Sequence, residues 1–106
     1  MASSRSYLEY ILDNLSGLDD ISHRAMMGEY IIYYRGKIAA YICDDRLLVK
    51  PVAAAERLLP DAPRELPYEG AKPMILVENT DDREFLCRLF NEMYDELPAP
   101  KVRKKK

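Results

Sequence analysis

Between Arg24 and Pro51, β-branched, aromatic and other apolar residues fall into three short runs: Tyr30–Tyr34, Ile38–Cys43 and Leu47–Val49. Arg35-Gly36 parts the first two, Asp44-Asp45 parts the next two, and Pro51 stops the last. Short β-rich runs separated by two turn residues mark consecutive hairpins. The spacing therefore predicts an antiparallel meander, with a further strand over Ile21–Met27 leading in.

A two-residue turn at Arg35-Gly36 sets Tyr34 opposite Lys37, Ile32 opposite Ala39 and Tyr30 opposite Tyr41, because side chains alternate faces with period two. One face then carries Ile31, Tyr33, Ile38, Ala40, Ile42, Leu47 and Val49, and suits a helix packed on it. The other carries Tyr30, Ile32, Tyr34, Tyr41, Cys43 and Leu48. Neither face is polar, whereas an antiparallel sheet commonly leaves one side to water. The tyrosine face, with Tyr30, Ile32, Tyr34, Tyr41 and Leu48, is thus the candidate interaction face. A partner, a second copy or the chain's own tail could cover it. A bulge at Gly36 would shift the parity and mix the two sets.

Helical spacing brackets the strands. Tyr7, Leu8, Ile11, Leu12 and Leu15 share one face of a helix over Ser3–Leu15, with Ser6 and Glu9 at capping-box spacing and Gly17 as its stop. Val52–Leu59 is alanine-rich and reads as a short helix with Pro51 at its start. Pro60–Pro73, with four prolines and Gly70, reads as loop, and Met74–Val77 as one more strand. Phe85, Leu86, Leu89, Phe90, Met93, Tyr94 and Leu97 form a sustained apolar stripe over Thr80–Leu97. Asn79, Thr80 or Asp81 is its expected cap. The order implies an α+β domain, an antiparallel β-meander sheet packed with helices, over residues 1–98.

Composition changes this picture little. The chain has 106 residues, 48% hydrophobic and 32% charged, as in ordinary globular domains. No apolar run approaches the ~20 residues needed to span a bilayer. The N-terminus leads straight into a polar helix without a signal-peptide core, so a cytoplasmic protein is expected. Charge is more informative. Lys101, Arg103, Lys104, Lys105 and Lys106 crowd the end, and without them 11 of the 16 basic residues face all 18 acidic ones, a net charge of −7. An acidic body with a basic tail over residues 99–106, expected to be disordered, offers no broad nucleic-acid-binding face.

No active site assembles from the residue types. His23 is the only histidine and has no paired cysteines or nucleophile elbow for company. Asp19-Asp20, Asp44-Asp45 and Asp81-Asp82 each stand where a turn or cap favours aspartate, so no metal is expected. Gly17, Gly28, Gly36 and Gly70 are scattered in turns and make no phosphate loop, and no cofactor is expected. Cys43 and Cys87 read as buried free thiols rather than a disulfide.

The motif residues together resemble a known family. Arg24, Met26, Met27, Gly28, Tyr30, Ile32, Tyr33, Gly36, Lys37, Ala40, Ile42, Asp44, Asp45, Leu47, Val49 and Lys50 are similar, in type and spacing, to the N-terminal domain of the bacterial TfoX/Sxy competence regulators. Tyr68, Glu69, Gly70, Lys72, Pro73 and Met74 resemble that family's second block. The sequence departs at Met27, where the family commonly has Phe, and at Glu29 and Ile31, where it commonly has Gly. The resemblance implies a fold like the secretion-chaperone and YjbR-type domains. It also implies a non-enzymatic role in transcriptional control through a protein partner such as a transcription factor. The helix-hairpin-helix C-terminal domain of full-length relatives has no counterpart in these residues. Homodimerisation through the tyrosine face is a further expectation. Two alternatives stand beside this reading. One is direct nucleic-acid binding, with the basic tail supplying charge and the tyrosines stacking on bases. The other is a small enzyme built around His23.

Overall fold

The computed structural model describes residues 4–26, 29–66, 70 and 72–97. Its elements run α1 (Arg5–Asn14), β1 (Ile21–Met26), β2 (Glu29–Tyr34), β3 (Lys37–Cys43), β4 (Arg46–Val49), α2 (Ala53–Leu58), β5 (Arg64–Glu65), β6 (Met74–Val77) and α3 (Arg83–Tyr94). The six strands form one antiparallel sheet in the order β1-β2-β3-β4-β6-β5. The α+β architecture expected from the sequence is the one observed.

The meander follows from its turns. Arg35 and Gly36 have φ of 52° and 84°, and Asp44 and Asp45 have φ of 55° and 56°. Two consecutive positive-φ residues twist a hairpin in the sense that strands prefer. Glycine takes that conformation freely, whereas Arg35 and both aspartates take it at a cost. Asp45 recovers part of that cost through its side chain, which accepts hydrogen bonds from the Ser4 backbone N–H at 2.8 Å and the Ser4 hydroxyl at 3.2 Å. Ser4 in turn accepts from the Tyr7 N–H at 3.1 Å and caps α1. The β3–β4 turn and the start of α1 are thus one polar joint.

The β2–β3 register departs from the straight hairpin. Tyr34 faces Lys37 and Tyr33 faces Ile38, but Ile32 then faces Ala40, Ile31 faces Tyr41 and Tyr30 faces Ile42. Ala39 is the extra residue of a bulge, and two residues of β3 oppose one of β2 there. Ala39 and Ala40 are both fully buried in the helix-side core, where α3 packs over β3. Two adjacent small side chains can crowd under a helix in a way that larger ones cannot. The displaced Ala39 carbonyl accepts from the Lys50 N–H at 3.2 Å. The bulge therefore leaves that acceptor satisfied.

The three described helices pack on one side of the sheet. Leu8, Ile11 and Leu15 from α1 and its end, Ala54 and Ala55 from α2, and Leu86, Leu89, Phe90 and Met93 from α3 meet Ile32, Ile42, Leu47, Val49, Ile75 and Val77. Polar contacts fix the helices to one another. The Asn14 amide donates to the Thr80 carbonyl at 2.8 Å, and Arg83 reaches Asp13. Glu96 accepts from the Ala54 N–H at 2.7 Å and so caps α2, whose N-cap Val52 has no side-chain oxygen to offer.

Several expected boundaries move. Asp82 rather than Asn79, Thr80 or Asp81 caps α3, accepting from the Phe85 N–H at 3.1 Å. The helix begins three residues later than its apolar stripe suggests, because Thr80 and Asp81 form a turn first. Pro51 lies one residue before the α2 cap instead of inside the helix. The Pro60–Pro73 segment, expected as loop, contributes β5, which pairs with Met74 and Ile75. Arg64–Glu56 and Arg46–Glu65 ion pairs hold this short strand in place.

Candidate interaction surface

Because the bulge reverses parity between β2 and β3, the five residues expected on one tyrosine face divide between two faces. Tyr30, Ile32 and Tyr34 face the helices, and Tyr41 and Leu48 face the opposite way. Tyr34 is 2% exposed. Its hydroxyl donates to the Asn91 side chain at 2.5 Å, and its ring lies 5.4 Å from that of Tyr94 and 6.4 Å from that of Phe90. Tyr34 is a core residue with a polar tip, not an interface residue.

The opposite side of the sheet carries Glu29, Ile31 and Tyr33 from β2, Ile38, Tyr41 and Cys43 from β3, Leu48 from β4, and Met74 and Leu76 from β6. Ile31, Tyr33 and Ile38, expected under a helix, belong here instead. Cys43, Leu48 and Met74 are buried among these strand residues, with Tyr41 and Leu76 packed at their margin. No described helix packs on this side. The Arg46–Glu65 ion pair borders the patch, and the Lys50 ammonium stands 6.0 Å from the centre of the Tyr41 ring. The result is a largely apolar sheet face with half-buried Tyr33 and Tyr41 at its middle and charge at its rim.

The motif residues serve the fold and the rim of this face. Gly36 and Gly70, with φ of 84° and 88°, and Asp44 and Asp45 hold turns. Lys37 lies on the helix side, where its ammonium donates to the Tyr94 carbonyl at 3.0 Å and sits 4.2 Å from the Tyr94 ring centre. Cation and helix C-terminus attract there. Arg24 and Met26 are exposed on edge strand β1, and Pro73 is exposed just before β6. Gly28, Tyr68 and the 99–106 tail lie outside the described residues.

Among the described residues His23, Cys43 and Cys87 do not come together. His23 is exposed on β1, its ring edge-on to Tyr30 at 6.4 Å. Burial, aided by the neighbouring Glu29 carboxylate, pushes the Cys43 thiol up to about 12, so it stays protonated and a poor nucleophile. Cys87 is also free. A cleft of about 250 Å³ lies beside Leu58, Asp61 and Glu78, and one of about 500 Å³ beside Arg88, Asn91 and Asp95. His23, Cys43 and Cys87 line neither. Among the described residues no three His, Cys, Asp or Glu side chains come together as a metal site would need, and no helix is long and apolar enough to cross a membrane.

The open sheet face was hidden from the sequence by a single residue, Ala39. Its only signal there is the Ala39-Ala40 pair, two small residues where a strand would otherwise place bulky ones.

Comparison with known proteins agrees with the fold. The chain is 30% identical over 107 residues to an uncharacterized 12.7 kDa protein in the trpE 5′ region of Spirochaeta aurantia, covering all of this chain and 93% of that one. No solved structure matches. The model of the TfoX N-terminal domain matches residues 13–97, which takes in every strand and both later helices. The chain belongs to the TfoX N-terminal domain family.

Proposed function

We propose that this chain is a non-enzymatic regulatory module that acts in transcriptional control by docking a protein partner on the sheet face away from the described helices. The observation that carries the reading is the face itself. Tyr33, Ile38, Tyr41 and Leu76, all half-buried, form an apolar patch around buried Ile31 on the side of the sheet away from the described helices, and the patch is centred on two tyrosines. Tyrosine offers a large apolar body and a polar tip at little entropy cost, which favours it at protein interfaces. Arg46, Glu65 and Lys50 supply a charged rim of the kind that sets specificity around such a centre. Family membership supports the regulatory role, and among the described residues His23, Cys43 and Cys87 lie apart from one another.

The test compares transcript profiles of cells lacking the protein after complementation with the wild type or with Tyr41→Glu. A folded Tyr41→Glu chain, verified by its melting curve, is expected to leave the transcripts of the deletion strain unrestored. Full restoration by that variant contradicts the docking face. Identical transcripts with and without the protein contradict the regulatory role altogether.

A further inference from the structure

The outer edge of β1 carries an inference that does not rest on the docking face. Among the described residues β1 pairs only with β2, and Ser22 through Met26 are exposed. Its pairing with β2 is regular over all six residues, so no bulge twists the edge away, and it contains no proline and a single charge, Arg24. Bulges, prolines and charges are devices by which a lone edge strand is normally kept from pairing.

The hydrogen-bond phase of that edge can be read from one rung. The Arg35 N–H donates to the Asp20 carbonyl at 3.0 Å, so the Asp20–Arg35 rung is a bonded one. Bonded and non-bonded rungs alternate along an antiparallel pair. Ser22, Arg24 and Met26 therefore turn their backbone groups toward β2, and Ile21, His23 and Ala25 turn theirs outward.

We propose that β1 pairs antiparallel with β1 of a second copy, about a two-fold axis at His23, so that one sheet runs through both chains. The outward set Ile21, His23 and Ala25 is symmetric about its middle member. Setting His23 against His23 of the second copy, and Ile21 against its Ala25, makes about six backbone hydrogen bonds across the junction. A slip of two residues either way leaves about four, and a slip of one sets outward groups against inward ones. Backbone pairing alone selects this register; charge does not, since Arg24 comes opposite Ser22 of the second copy and diagonal to both its Asp20 and its Arg24. With the axis perpendicular to the sheet, both open faces point to the same side. Strand-edge contact alone buries less than the ~1,200 Å² of stable interfaces, so the association is weak and concentration-dependent.

Sedimentation of the full chain from about 10 µM to about 500 µM reads the association by mass action. A rise from monomer toward dimer is expected, and monomer throughout overturns the proposal. The register is read by oxidative crosslinking of His23→Cys and Ser22→Cys, with the wild type as control for Cys43 and Cys87. Opposed residues in a bonded rung lie ~5.5 Å apart at Cα, within disulfide range, whereas Ser22 and its symmetry mate are beyond ~7 Å. A crosslinked dimer from His23→Cys alone is expected. Crosslinking from Ser22→Cys instead, or from both equally, overturns the register.

Discussion

Truncating Tyr34 to alanine tests where the bulge sends the tyrosines. At 2% exposure the ring is enclosed by Phe90 and Tyr94, and its hydroxyl is bonded to Asn91. Removing a fully buried aromatic costs about 3–5 kcal/mol through lost burial and the cavity left behind. Against a total stability of about 5–15 kcal/mol that is a large share of what holds the domain together. Tyr34→Phe keeps the ring and loses only the bond to the exposed Asn91, a cost of about 1 kcal/mol. Tyr33→Ala, one residue away but half-buried on the open face, costs about 1 kcal/mol as well. Urea unfolding followed by far-ultraviolet circular dichroism measures all three, provided the denaturant slope stays constant across the series. A Tyr34→Ala cost below about 1.5 kcal/mol, or a Tyr33→Ala cost that matches it, would refute the placement of Tyr34 among the helices.

The polar joint at Ser4 gives a coupling prediction: Ser4→Ala and Asp45→Ala each destabilise by about 1 kcal/mol, and the double variant costs clearly less than their sum. Independent, additive costs in a double-mutant cycle contradict a shared joint. Gly36→Ala, at φ of 84° with open space where a Cβ would sit, costs about 1 kcal/mol from backbone strain alone. An unchanged melting temperature contradicts the turn geometry. Cys43, its thiol held protonated up to about 12, reacts with a thiol reagent at pH 8 only as fast as the chain opens, so reaction parallels added urea. Rapid labelling of Cys43 in native protein contradicts its burial.

Much of this architecture is legible in the residues because local signals agree there. The Leu8, Ile11 and Leu15 spacing, the Leu86–Leu89–Met93 stripe and the Gly36 turn each dictate one element, and tertiary packing leaves each in place. The candidate site was less legible. Parity carries along a strand only until an extra residue intervenes, and Ala39 intervenes for reasons of packing under α3. No periodicity within β3 announces it. The β5 strand was hidden for a related reason: two residues between prolines have no pattern of their own and are held by Arg64–Glu56 and Arg46–Glu65 across the fold. Asp82 displaced its neighbours as the α3 cap because four successive residues, Asn79 to Asp82, could each cap by type.

Cross-strand proton–proton contacts between β2 and β3, read by nuclear Overhauser spectroscopy, test the open face most directly. Contacts joining Ile31 to Tyr41 and Tyr30 to Ile42 are the predicted result, since they put Tyr41 beside Ile31 on the side away from the helices. Contacts joining Tyr30 to Tyr41 and Ile32 to Ala39 would return Tyr41 to the helix side and leave the proposed docking surface without its centre.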